Sequence, residues 1–198
     1  MKRLLLIAMI AATSMAASAQ TKSGIQTDSI PVVDGAYQFQ EVVRVDSTVK
    51  KDQLYKKAKT YFMDVFVAAK DAFQYDDQQE GRIVGKGYLT VSDYKSVFPG
   101  VAVLKWDVNY NTEIICKDGK YKFRIYDIVV TKESHVAESN SRTVHLTVTD
   151  LYAGMSKQRG AYKTLYPRVM NKMIAEFKVR MGTLKEYMDK NKGDYAAF

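Results

Sequence analysis

The sequence predicts a single α+β domain: a strand, a helix, a run of antiparallel strands and a second, longer helix follow in that order, with the sheet packed under the two helices. Three observations carry this. Apolar side chains recur at three- and four-residue steps in two stretches, 54–73 and 166–188, the spacing that lines one stripe of a helix. Between them apolar and polar residues alternate, the period of a strand with one buried face. An Asp-Gly pair at 118–119 divides two of these alternating runs, a strong hairpin signal. Composition agrees: 46% hydrophobic with 26% charged residues is far from the disordered class, and 11 Gly with 3 Pro excludes collagen-like chains. A length of 198 residues fits one domain.

The N-terminus reads as a bacterial secretory signal peptide over 1–19. Lys2 and Arg3 make a positive start, Leu4 to Ala12 an apolar run, and Ala17-Ser18-Ala19 a small-residue cleavage site. The run is shorter than the roughly 20 apolar residues that a membrane span needs, so no transmembrane segment is expected. Gln20, not a cysteine, follows the cleavage point, so the expected product is periplasmic, secreted or associated with the outer surface, and not a lipoprotein. Cleavage would remove Lys2 and Arg3 from a formal net charge of +8.

The mature elements follow in order. Residues 20–36 hold Thr, Ser, Gly, Asp and Pro31 and read as a flexible leader, with the domain spanning 37–192 and a tail at 193–198. Tyr37 to Val45 alternates as a first strand. Leu54, Ala58, Tyr61, Phe62, Val65, Phe66, Ala69 and Phe73 form the first helical stripe, with Lys51, Lys56, Lys57, Lys59 and Asp64 on the other side. The cluster Tyr75-Asp76-Asp77 with Gly81 is turn chemistry that ends this helix. Arg82 to Val91 then alternates with Gly85 and Gly87 on the inner face, where they leave room under a helix. A loop is expected over 92–100, a strand from Val101 to Cys116, a return strand with Tyr121, Phe123 and Ile125 inward, a polar loop over 132–141 and a last strand from Arg142 to Thr149. After a connection through Gly154 and Gly160, a helix from Thr164 to about Lys190 carries Tyr166, Val169, Met170, Met173, Ile174, Phe177, Met181, Leu184 and Met188 on one stripe.

Three of these segments carry a resemblance. Leu54-Tyr55-Lys56-Lys57-Ala58, then Tyr75-Asp76-Asp77 leading into 81–89 (GRIVGKGYL), then Asp118-Gly119-Lys120-Tyr121 resemble a Bacteroidota family known as domain of unknown function 4468 and described as having a TBP-like fold. The resemblance covers about 37–131. It implies a TBP-like α+β fold and an exported envelope protein, and it brings no catalytic residue with it.

Chemical motifs are sparse. Gly85-Lys86-Gly87 lacks the spacing and the Ser or Thr of a phosphate loop and lies within a strand pattern. His135 and His145, with Glu133 and Glu138 nearby, would need a third ligand folded back to hold zinc. Ser156 stands outside any nucleophile elbow. Cys116 with His145 could form a thiolate pair, but Cys116 shares parity with Ile114 and reads as a small buried hydrophobe. A single cysteine permits neither an intrachain disulfide nor a Cys-based zinc site. Asp76, Asp77 and Glu80 lack calcium-loop spacing. No cofactor, metal or catalytic set is therefore expected.

Parity singles out a basic and aromatic sheet face instead. Arg82, Lys86, Tyr88, Lys122, Arg124 and Tyr126 fall on the outward side of two strands. Such a face suits an anionic glycan, a lipid headgroup or an envelope protein; export argues against nucleic acid. The expected function is a non-enzymatic module of the envelope that binds a ligand or a protein. A hydrolase-like envelope enzyme, and an assembly protein that pairs through an edge strand, are the alternatives.

Overall fold

A computed structural model describes residues 29–66, 73–136 and 140–189. Its elements are β1 (Val32–Val33), β2 (Ala36–Tyr37), β3 (Phe39–Arg44), α1 (Lys51–Val65), β4 (Phe73–Asp77), β5 (Arg82–Val97), β6 (Gly100–Lys117), β7 (Lys120–Val136), β8 (Asn140–Thr147), α2 (Val148–Met155) and α3 (Tyr162–Asp189). All pairings are antiparallel. The main sheet runs β3-β7-β6-β5-β4, and β8 pairs β7 on the stretch beyond β3. The predicted α+β class holds, with the helices on one face of the sheet and the other face open.

The inner face is the alternation made solid. Ile83, Leu89 and Val91 of β5, Trp106, Val108, Tyr110, Ile114 and Cys116 of β6, and Tyr121, Phe123 and Ile125 of β7 are buried. Leu54, Ala58 and Phe62 of α1 pack on the end of the sheet beside the β6–β7 turn. Val169, Met170, Met173 and Phe177 of α3 pack on its middle, and Leu184 and Met188 reach α1. Asp118, in the expected hairpin turn, also caps α1: its Oδ1 accepts the Lys51 N–H at 2.8 Å, where a helix leaves donors unpaired. Gly87 leaves room as expected, but its occupant is the Tyr110 ring of the neighbouring strand. A Cβ there would lie 2.2 Å from Tyr110 Cζ, and that ring meets Phe177 of α3 edge-on.

One irregularity resets the pattern. Between Asn109 and Asn111 the β6–β7 register shifts, so that Asp127 and Ile128 stand against Tyr110 alone. Asp127 takes a φ of 51° and accepts a hydrogen bond from Asn111 Nδ2 at 3.0 Å. This bulge reverses the parity of β7, and Ile128 and Val130 continue the buried face.

Several sequence expectations need correction. Phe73 closes no helix; it opens β4, and Tyr75-Asp76-Asp77 is strand, with the turn at 78–81. Its spacing from Ala69 fits a helix and a strand equally at the end of a stripe. The expected loop 92–100 is instead the far half of a continuous hairpin, paired as far as Val97 with Gly100. The expected loop 132–141 is mostly ladder between β7 and β8. The last strand ends at Thr147, where a capping box, Thr147 with Asp150, starts α2 in place of an irregular connection. Order also starts before Tyr37: Asp34-Gly35, both at positive φ, turn β1 into β2, and Ile30, 2% exposed, enters the core while its N–H donates to the Tyr152 hydroxyl at 2.7 Å. The expected signal peptide over 1–19 and the expected tail at 193–198 lie outside the described residues.

Candidate functional site

The open face of the sheet displays every second residue of β3 to β7. Across its middle run the registered rows Val84–Glu113–Arg124–Gln40, Arg82–Ile115–Lys122–Val42 and Lys86–Asn111–Tyr126. All six residues expected on the outward face therefore share it: Arg82, Lys86 and Tyr88 from β5, and Lys122, Arg124 and Tyr126 from β7.

At the centre lies a residue that sequence reasoning passed over. Glu113 is 2% exposed, although it faces the open side, because two arginines close over it. Arg82 Nε and Nη2 both lie 2.7 Å from its Oε1, and Arg124 Nε donates to its Oε2. Each guanidinium also covers a phenol ring: Arg82 lies 5.1 Å from the Tyr75 centroid and Arg124 lies 4.2 Å from that of Tyr126. Tyr75 donates to Glu80 Oε2 at 2.9 Å. The result is a fixed row, Tyr75–Arg82–Glu113–Arg124–Tyr126, across four strands. The Glu113 hydrogen bond raises the Arg82 pKa. Burial, then the Glu113 charge, raises that of Tyr126. The signal for Glu113 was available: it has the parity opposite to Ile114, in the strand between the two that carry the arginines.

The remaining cations differ in kind. Lys86 is exposed and Lys122 half-buried, and among the described residues neither meets a carboxylate within ion-pair distance. They flank the row on its two sides. Tyr88 donates to Asp107 Oδ1 at 2.8 Å, which Thr90 also reaches at 2.7 Å. This surface presents planar guanidinium edges held by Glu113, the ammonium groups of Lys86 and Lys122, and aromatic faces. Its central carboxylate is fully engaged by arginine, so the arrangement suits recognition of a polyanionic or aromatic surface better than proton transfer.

The other expectations resolve one by one. Gly85-Lys86-Gly87 lies mid-strand, where no helix N-terminus follows. Cys116 is buried, and burial pushes its thiol up to about 12. In the ladder Cys116 faces Tyr121, and His145 faces Thr131 further along β7, a separation of roughly 30 Å at about 3.3 Å per residue, so no thiolate pair forms. His145 Nδ1 instead lies 3.1 Å from Thr131 Oγ1. The side chains of Glu133 and His135, and Glu138 altogether, lie outside the described residues. Asp76 joins β4 to α1, accepting from the Tyr55 hydroxyl and, at 2.7 Å, from Lys59 Nζ, while Asp77 accepts the Glu80 N–H at 2.9 Å. Ser156 ends α2. Among the described residues, no group of three or more His, Cys, Asp or Glu is arranged to hold a metal ion, and no helix is long and apolar enough to cross a membrane.

Known proteins repeat this architecture. A family described as a domain of unknown function (DUF4468) with TBP-like fold matches residues 39–131. A crystal structure of a TBP-like protein from Parabacteroides distasonis superposes with a TM-score of 0.59 at 11% identity, covering 82% of this chain and 99% of that one. A DUF4468 family protein from Bacteroides ovatus superposes with a TM-score of 0.53 at 14% identity, covering 82% of this chain and 91% of that one. No curated protein matches the chain. At such identities the superpositions bear on fold alone: the chain has a TBP-like fold, and its segment 39–131 is similar to the family described as a domain of unknown function (DUF4468) with TBP-like fold.

Proposed function

We propose that this protein is an exported, non-enzymatic binding module of the bacterial envelope that recognises an anionic partner through the open face of its sheet. The observation that carries the reading is the row Tyr75–Arg82–Glu113–Arg124–Tyr126 with Lys86 and Lys122 beside it. A merely solvated face needs no carboxylate buried between two arginines. Here Glu113 holds both guanidinium planes in one orientation, which lowers the side-chain entropy lost when they meet a ligand. Anionic glycans fit this chemistry, since each sugar ring offers a carboxylate or sulfate to the cations and a CH-rich face to the tyrosines. Export rests on the tripartite N-terminus; intact-mass measurement of the secreted protein is expected to find cleavage after Ala19.

The test uses immobilised uronic-acid and sulfated polysaccharides. Retention is expected to fall as salt rises and to drop further in the Lys86→Glu and Lys122→Glu variants; Lys86 is exposed, so its variant keeps the parent melting temperature, because exposed charges contribute little to stability. Arg82 and Arg124 are unsuitable for this purpose, since changing either disturbs the buried Glu113. Retention indifferent to both lysines and to salt would remove the face from consideration.

A further inference from the structure

A second surface stands apart from the sheet face, at the far end of the β5–β6 hairpin. The β6–β7 ladder stops at Asp107 with Thr131, and from there, among the described residues, 91–97 and 100–106 pair only with each other. At about 3.3 Å per residue this arm is roughly 20 Å long. Its base is anchored on the inner side: Trp106 is buried, Leu104 packs on the core, and Lys95 Nζ lies 3.2 Å from Thr164 Oγ1 at the start of α3. Its end is bare. Phe98 is fully exposed, and Tyr94, Val101 and Val103, at 65%, 60% and 56%, form an apolar strip behind it on the outer side.

The surrounding charge is of one sign. Residues 94–106 and 151–175, which bring the arm and the α2–α3 turn together, contain seven Lys or Arg and no Asp or Glu. Carboxylates stand only at the margins of these segments: Asp93 is buried and paired with Arg168 and Lys172, and Asp107, at the base of the arm, lies 3.6 Å from Lys105 Nζ. Lys157, Arg159 and Lys163 are exposed beside the place where Lys95 meets α3.

We infer that this end of the molecule docks on an anionic lipid bilayer, with Phe98 and the neighbouring valines entering the boundary between headgroups and acyl chains, and the lysines and Arg159 lying on lipid phosphates. Shape and charge together select this occupant. The apolar groups crown a projecting turn and do not line a groove, so a rigid protein partner would need a deep complementary slot, whereas a fluid bilayer opens around them. Their polar backbone is already paired within the hairpin, so insertion leaves little of it unsatisfied. The excess of cations, with no carboxylate within 94–106 or 151–175, matches the negative surface potential of such a membrane, and exposed Tyr94 and Tyr162 have the amphipathic rings that favour the interface.

Co-sedimentation with vesicles tests this, using phosphatidylethanolamine mixed with phosphatidylglycerol against phosphatidylcholine alone. The full chain without its leader is expected to pellet with the anionic vesicles and to remain in solution with the neutral ones. Phe98→Asp is expected to lower the apparent affinity about tenfold or more, the scale set by losing several inserted carbons and placing a charge at the interface. Arg159→Glu with Lys163→Glu is expected to lower it by about tenfold together and to weaken its salt dependence. The melting temperature of each variant should match the parent, since these side chains are exposed. A Trp introduced by Phe98→Trp should shift its emission to the blue on adding anionic vesicles, while the buried Trp106 supplies a constant background. Absence of pelleting, pelleting unchanged by Phe98→Asp, or a lipid-free self-association or protein complex that Phe98→Asp abolishes would each overturn the proposal.

Discussion

Glu113 shows how a single side chain changes the meaning of its neighbours. Counted by parity, Arg82 and Arg124 are two free positive charges on an open face; in the structure they are the counter-charges of a buried carboxylate. Removing one guanidinium leaves Glu113 with the other. Removing both leaves a buried charge unpaired, which costs about 3–5 kcal/mol. Urea denaturation of Arg82→Gln, Arg124→Gln and the double variant should therefore give a double cost well above the sum of the singles, and adding Glu113→Gln to the double should restore part of the loss. Simple additivity would mean that Glu113 is hydrated in solution. Asp93 offers a second residue-scale expectation. Burial alone would raise its pKa, but the Tyr94 N–H, Lys172 and Arg168 outweigh that and hold the carboxyl below its usual range. A depressed folded pKa contributes stability that is present above the unfolded value of about 3.9 and is lost as pH falls through the folded pKa. The stability gap between the parent and Asp93→Asn should be widest near neutral pH and close as the pH drops below about 4. A gap constant down to strong acid would show that the Arg168 and Lys172 contacts add nothing to folding.

At the scale of elements, the tightest constraint is where Gly87 of β5 pairs with Tyr110 of β6. The Tyr110 ring occupies the space over Gly87 and is held there by Phe177 and by the Arg180 guanidinium 5.7 Å from its centroid. Gly87→Ala must displace that ring against α3 and should cost about 1–3 kcal/mol in chemical denaturation, the usual range for overpacking. Gly100→Ala, with nothing within 4 Å of the new methyl, is the matched control and should cost far less. This region also marks how far the sequence could be read. The buried faces of β5, β6 and early β7 were legible because each alternates without interruption for many residues. The reversal at Asp127 was not, because a bulge leaves no composition signal beyond an Asp that tolerates positive φ. Val97-Phe98-Pro99-Gly100 reads locally as loop chemistry, and only the pairing of Tyr94 with Val103 and of Ser96 with Val101, which depends on the partner strand, makes it the end of an arm. The capping box at Thr147 and the Asp34-Gly35 turn were within reach; at the first, strand alternation ran on past the cap, and at the second the surrounding polar composition masked the turn. The six outward residues of the candidate site were legible from parity alone. Their central carboxylate required the register of three strands.

The whole molecule depends on α3 to make two cores into one. Ile30, Phe39, Trp106, Tyr110 and Phe177 belong to a cluster under α2 and the first half of α3, while Leu54, Phe62, Tyr121, Phe123, Leu184 and Met188 belong to another under α1 and its second half. Met181 packs against both, Lys57 Nζ donates to the Met188 carbonyl at 2.7 Å, and Lys185 Nζ lies 2.7 Å from Glu41 Oε1. Each cluster has one other helix over it, α2 for the first and α1 for the second, and α3 is the helix they share. Burial of each large apolar side chain contributes about 1.5–3 kcal/mol, against a total stability of roughly 5–15 kcal/mol for a domain, so losing the stretch from Val169 to Met188 exceeds what either half can spare. Unfolding should accordingly be a single transition: the fluorescence of Trp106, in the first cluster, and near-ultraviolet dichroism from the tyrosines of the second should share one midpoint with far-ultraviolet dichroism. Truncation after Tyr166 should abolish that transition, and Phe177→Ala, which empties a fully buried site between the Phe39 and Tyr110 rings, should lower it by about 3–5 kcal/mol without splitting it. If the Trp106 signal persisted after the tyrosine signal was lost, the two clusters would be separate folding units and α3 a connection between them; coincident midpoints in both the parent and Phe177→Ala would mean that one helix couples the open sheet face and the hairpin arm to the same folding equilibrium.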